Sequence, residues 1–432
     1  MKRIIFTLIL LAACGGAILA DATNPPTALS LVDAQKIALR NHPQIAAANY
    51  RALAAQEVLT ETRAGYYPDA NLYGDAVGAN SEDARILAGG VNNPSVFNRL
   101  AGGLSVSQLI TDFGRTANLV SSSKFQSQAE SQNANATREQ VLLQVNINYL
   151  GTLQAQAVLH VAQQTFDTRQ LLLDQVSLLA SNKLKSELDV SFADVAVQQS
   201  KLLLERAQNN SEAAMASLSA ALGYQQPRQF QLSETNLFAN SVVGDDSELV
   251  QTALAQRPEL LSLRNQDVAA MKFAKSQRDA RLPSVSAFGE AGGSPAHDDH
   301  LPDDYAVGGI QISFPLFAGG LYRARQREAE LRAEAQDELL RNLGDDIVRD
   351  VHIAWLSVNN ARDEIKTTDE LVRSASEAYD LADSRYKSGL SSIVELSQAQ
   401  LNLTSAQISD TNARYNLLIQ QANLDYQIGA LR

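Results

Sequence analysis

Residues able to do chemistry are sparse in this chain. The densest cluster is His297-Asp298-Asp299-His300. Imidazoles and carboxylates are metal-ligand types, but nothing around these four fixes a ligand geometry, and the stretch reads as a hydrated loop between strands. His42, His160 and His352 are scattered, and Trp355, the only Trp, reads as a packing residue. No HExxH, GxSxG or GxxxxGK[ST] pattern is present. Cys14 is the only cysteine, so the rest of the chain has no thiol for catalysis and no internal disulfide to form. These residues predict no enzyme, no cofactor and no metal. Two carboxylates stand out by position instead. Asp189 and Glu395 each follow a break in an otherwise helical stretch, "NKLKSELDV" and "SGLSSIVEL".

The chain is acidic, with 36 Lys and Arg against 48 Asp and Glu and a formal net charge of −12, which argues against nucleic acid as a partner. Its first residues predict export. Lys2 and Arg3 precede an apolar run from Ile4, and Ala20 and Ala22 fit an A-x-A cleavage site, making residues 1–22 a signal peptide. Leu11-Ala12-Ala13-Cys14 also resembles a lipobox, the alternative being a signal of residues 1–13 with Cys14 lipidated. Beyond the signal no apolar run approaches the ~18 to 20 residues of a transmembrane helix, so any membrane span must use strands.

The remainder repeats itself. "LSLVDAQKIALRNHPQIAAA" parallels "SELVQTALAQRPELLSL", pairing Pro43 with Pro258, and "YYPDANLYG" parallels "RLPSVSAFG", pairing Pro68 with Pro283, at an offset of 215 in both cases. "GGLSVSQLITDFGR" then pairs with "GGIQISFPLFAGGL" at an offset of 206, which also carries Asp189 to Glu395 and Gly223 to Gly429. One nine-residue length difference (215 − 206) therefore lies between Gly74 and Gly102, as at a loop tip. The repeats are residues 29–224 and 247–432, with 225–246 as linker.

Each repeat predicts the same elements. Pro43 to Pro68 and Pro258 to Pro283 bracket helix-forming sequence that Pro opens and closes. Period-two segments follow, such as Ile310, Ile312, Phe314 and Leu316 alternating with Gln311, Ser313 and Pro315. They amount to two strands of about ten residues per repeat, long enough to cross a tilted bilayer span. A very long helix comes next, from Leu321 to about Lys387 and from about Arg115 to Lys183, spanning ~100 Å at 1.5 Å per residue. Returning arms run from Ser392 to Ile428 and from Leu188 to Leu222. Each arm carries two seven-residue rows. In the second repeat these are Leu396, Leu403, Asp410, Leu417 and Leu424, and Val394, Leu401, Ile408, Tyr415 and Ala422. In the first they are Val190, Val197, Leu204, Ser211 and Leu218, and Leu188, Val195, Leu202, Asn209 and Ala216. The rows lie about 140° apart, so each arm has a neighbour on both flanks, as in a curved wall or tube. Four short strands cannot close a barrel by themselves, and lipid tolerates no open edge, so several chains must pool their strands.

The "AL…NHP" and "AL…QRP" segments, "FPLFAGG", "RYKSGLSSIVELSQAQ" and "ARYNLLIQQANLDYQIGAL" resemble the TolC family of bacterial outer-membrane efflux proteins along essentially the whole mature chain. The resemblance implies an α+β membrane protein of long antiparallel helices. It also implies a homotrimer whose protomers contribute four strands each to a shared twelve-stranded β-barrel, continued by a helical tube through the periplasm. Such a protein is a passive exit duct of a tripartite efflux pump or type I secretion system. It works in outer-membrane lipid with a periplasmic adaptor (membrane fusion) protein and an inner-membrane RND, ABC or MFS pump. In the family's terms, Lys183 and Leu184, and Ser388, Gly389, Leu390 and Ser391, form the two tip turns that meet the adaptor. Glu395 sits at one acidic position of the pore constriction, Gln398 makes a second ring neutral, and Asp189 is the matching acid of the first repeat. Tyr386 and Asp189 match a pair that can link adjacent hairpins, whereas Ser391 stands where an arginine partner can occur. Lys183 replaces the usual glycine, so the first turn need not share the shape of the second. A competing reading, an exported coiled-coil structural or adhesive protein without a pore, has no use for alternating strands at equivalent places in both repeats.

Overall fold

The computed structural model describes residues 28–78, 99–233, 244–296 and 303–431. The signal segment with Cys14 and the His297–His300 cluster lie outside them. The first repeat comprises α1 (Leu31–Asn41), α2 (Pro43–Ala64), β1 (Asp69–Val77), β2 (Arg99–Thr111), α3 (Arg115–Ser181) and α4 (Glu187–Ala221). The second comprises α5 (Asp246–Gln256), α6 (Pro258–Asp279), β3 (Ser284–Ala296), β4 (Asp304–Ser313), α7 (Leu321–Lys387) and α8 (Ile393–Gln427). Pro43 and Pro258 open α2 and α6, where the missing N–H breaks no helical bond. The helices α3 and α7 are each 67 residues, about 100 Å long.

These long helices are the spines of the molecule. Near the sheet α3 is flanked by α2 and α6, and α6 also packs on α7. Small polar side chains tie these contacts: Thr62 Oγ1 to Ser123 Oγ at 2.9 Å, and Ser122 and Ser262 hydroxyls donating to the carbonyls of Ala269 and Ala129. Away from the sheet α4 folds back on α3, α8 folds back on α7, and α8 also meets α3, joining the repeats. The central apolar cluster gathers at mid-length, where α1 and residues 228–233 cross α3. Val141, Val145, Tyr149 and Leu150 of α3 pack there with Leu218 and Leu222, and with Tyr415 and Leu418 of α8. The fully buried Tyr149 hydroxyl lies 2.7 Å from the Leu29 carbonyl and 2.8 Å from that of Ser233.

The two rows of each returning arm separate by partner. Leu396 and Leu424 are buried in α8, as are Val197, Leu204 and Leu218 in α4, which is the seam within each hairpin. Asp410, the polar member of the α8 row, accepts from Thr368 Oγ1 at 3.3 Å and from Arg414 at 2.8 Å. On α8 the second row packs on α3 at Tyr415 and is buried at Ala422 but is open toward the tip at Val394 and Leu401. On α4 the equivalent Leu188, Val195 and Leu202 remain 63%, 52% and 48% exposed.

The strands form one antiparallel sheet in the order β1-β2-β3-β4. Its register sorts the side chains by face, because successive residues alternate. Ala70, Leu72, Leu104, Val106, Val285, Ala287, Ile310 and Ile312 share one face. Asp69, Asn71, Ser105, Ser107, Ser286, Glu290, Gln311 and Ser313 share the other. Among the described residues, β1 and β4 each have one edge without a strand partner.

Candidate functional site

Chemistry concentrates at the two turns farthest from the sheet. Both turns are Schellman motifs with the same hydrogen bonds. In the first, the Lys183 N–H donates to the Ala180 carbonyl at 2.8 Å and the Leu184 N–H to Leu179 at 2.9 Å. In the second, the Gly389 N–H donates to Tyr386 at 3.0 Å and the Leu390 N–H to Arg385 at 2.8 Å. Lys183 has φ 61° and Gly389 has φ 74°. The expectation that Lys183 frees the first turn to differ is therefore corrected: lysine takes the left-handed conformation that glycine takes in the twin. The two amides and two carbonyls that the motif satisfies outweigh a Cβ penalty of about 1–2 kcal/mol.

The helices restart differently. Ser186 caps α4 through a capping box, its Oγ accepting from the Asp189 N–H at 3.2 Å while the Asp189 carboxylate accepts from the Ser186 N–H at 3.0 Å. Hydrogen bonds from Ser186 hold Asp189 below the ordinary carboxylate range. Ser392 caps α8 by accepting from the Glu395 N–H at 3.3 Å. The Glu395 carboxylate instead lies 3.4 Å from Arg385 Nε across the turn. Gln398 is exposed on the same flank of α8 and donates to Asn402 Oδ1 at 2.9 Å.

The two tips touch each other. Leu172, Val176 and Val190 of the first hairpin pack with Tyr379, Ala382, Tyr386, Ile393 and Leu396 of the second. The Tyr386 ring is buried there with Lys185 Nζ 4.2 Å from its centroid. Its hydroxyl has no hydrogen-bond partner, and burial first and the Asp189 charge second push the phenol above its ordinary pKa. Tyr386 and Asp189 are thus neighbours in one protomer, each engaged otherwise than with the other. Ser391, five residues after Tyr386, has a buried Oγ that also lacks a partner. Leu184 and Leu390 crown the turns, 70% and 71% exposed. Sequence reasoning missed Arg385 and Lys185; the ten-residue spacing of Arg385 and Glu395 across a glycine turn was the available signal for the first.

The sheet supplies the other end of the site. Tyr73, Gly103, Gly292 and Tyr305 form one row across all four strands, and the two hydroxyls meet by hydrogen bonding over the glycines. A Cβ at Gly292 would lie 2.5 Å from both the Tyr305 hydroxyl and the Gly102 carbonyl oxygen, so the rings require glycine beneath them. At the helix-proximal end Tyr66, Tyr67, Phe113, Phe314 and Phe317 are exposed together. Such an aromatic collar beside an apolar band is the pattern of a membrane–water boundary. No helix among the described residues is long and apolar enough to cross a membrane.

Comparison with known proteins agrees with this geometry. The family described as "Outer membrane efflux protein" matches residues 35–224 and 249–430. The chain is 25% identical over 429 residues to outer membrane protein TolC of Vibrio cholerae, covering 96% of this chain and 94% of the relative. It is 24% identical over 440 residues to alkaline protease secretion protein AprF of Pseudomonas aeruginosa, covering 96% and 88%. Its fold matches a membrane protein crystal structure from Pseudomonas aeruginosa with a TM-score of 0.80 and 22% identity, over 92% of this chain and 93% of that one. The family is a channel family and not an enzyme family. The chain belongs to the outer membrane efflux protein family, and it is an outer-membrane exit duct for efflux or type I secretion.

Proposed function

We propose that three copies of this chain close into one duct, with the sheets pooled into a twelve-stranded outer-membrane barrel and the helices into a periplasmic tube. The observation that carries this is a four-stranded sheet with one apolar face and two unpaired edges, which lipid does not tolerate alone. The bare α4 row of Leu188, Val195 and Leu202 supports it, since a neighbouring copy would supply the missing helix. The exposed turns at Lys183, Leu184, Ser388, Gly389, Leu390 and Ser391 dock a periplasmic adaptor, and an inner-membrane RND, ABC or MFS pump supplies the energy. Glu395, Gln398 and Asp189 line the narrow tip, and Tyr386 with Asp189 latches neighbouring hairpins. The chain itself catalyses nothing. Lipidation at Cys14 would add an anchor to the barrel. Cargo selection lies in the pump and adaptor; AprF is named for secretion of a protease, whereas other members are efflux channels.

The test is reconstitution of the purified protein in planar bilayers together with its gel mobility before and after heating. A heat-modifiable trimer that forms cation-preferring pores of low conductance is the expected result. Recovery as a soluble periplasmic protein without conductance would sink the duct.

A further inference from the structure

We infer that Arg385 sets the charge selectivity of the duct entrance by strapping Glu395 across the second turn. The inference rests on the reading that Glu395 lines that entrance. Arg385 occupies the third position from the end of α7, where its carbonyl accepts the Leu390 N–H of the Schellman motif at 2.8 Å. Its side chain then crosses the same turn outside the backbone. Nη2 donates to the Leu390 carbonyl at 3.4 Å, and Nε reaches Glu395 Oε1 at 3.4 Å. One guanidinium therefore holds the tip peptide and the first turn of α8 together, a geometry that suits its planar fork.

The twin turn has no such device. The residue 206 positions before Arg385 is Leu179, and Asp189, the twin of Glu395, turns its carboxylate onto its own cap at Ser186. Two other cations near the second turn are engaged elsewhere: Lys387 pairs with Asp383 at 2.7 Å and Lys185 lies over the Tyr386 ring. Gln398 carries no charge. Arg385 is therefore the cation paired with Glu395, and the pair sums to zero (+1 − 1) while the strap is closed. Both side chains are about half exposed, at 56% and 49%, so the pair is of the weak surface kind and opens readily. The entrance attracts cations to the extent that the strap is open.

The experiment compares wild type, R385Q, E395Q and R385Q/E395Q in planar bilayers, reading the K⁺/Cl⁻ permeability ratio and the concentration of La³⁺ that halves the current. R385Q should raise the ratio and lower the half-blocking concentration roughly tenfold, because it removes a positive charge from each protomer and also frees the Glu395 carboxylates to face the ion. E395Q should move both quantities the other way. On the E395Q background the R385Q change should sensitise the pore by about threefold or less, because the strapped carboxylate is gone. If E395Q changes neither quantity, Glu395 does not line the entrance and the gate reading fails. If E395Q acts but R385Q does not, or R385Q acts equally on both backgrounds, the strap is overturned while the gate stands.

Discussion

At the scale of single residues, Lys183 and Gly389 are a natural comparison of one backbone conformation on two side chains. No atom lies within 4 Å of the place a Gly389 Cβ would take, so substitution there tests conformation alone. Gly389→Ala should destabilise the second turn by about 1 kcal/mol. Lys183→Gly should stabilise the first by about 0.5–1 kcal/mol, relief of the left-handed penalty outweighing the extra freedom of the unfolded chain. Hydrogen exchange at the Leu184 and Leu390 amides, the closing donors of the two motifs, reads both effects. A sequence shows that glycine is missing at 183, but not that two helix-end hydrogen bonds pull lysine into glycine's conformation. The same limit hid Arg385, whose partner is set by the width of the turn.

At the scale of elements, the sheet depends on its row of tyrosines and glycines. A Cβ at Gly292 would collide with backbone and ring alike, whereas one at Gly74 would meet nothing closer than the Ala101 carbonyl oxygen at 3.7 Å. Gly292→Ala should therefore cut the amount of protein assembled in the outer membrane at least several-fold, while Gly74→Ala leaves it near wild type; quantitative blotting of membrane fractions decides. Alternation alone located the four strands, since period two is local. It did not align Tyr73 with Tyr305, because that register passes through two other strands and depends on the glycines between.

Taken whole, the protomer has unfinished edges, in the outer strands of its sheet and in the exposed row of α4. The seven-residue rows already implied two flanks for each arm, and the structure shows which flank each protomer satisfies. Val195→Asp, on the exposed row of α4, should leave the hairpin folded but abolish trimers, whereas Val197→Asp, on the buried row, should unfold the hairpin. Chemical cross-linking combined with limited proteolysis separates these outcomes.

The sequence by itself determined the repeat, the element order and the ~100 Å helices, because periodicity, proline placement and strand length act locally or by simple counting. Only the tertiary structure decided the matching shape of the two turns, the burial of Tyr386 between hairpins, the self-capping of Asp189 and the pairing of Glu395 with Arg385. Those outcomes depend on which groups two folded-back helices bring within about 3–4 Å, a distance that spacing along the chain does not encode.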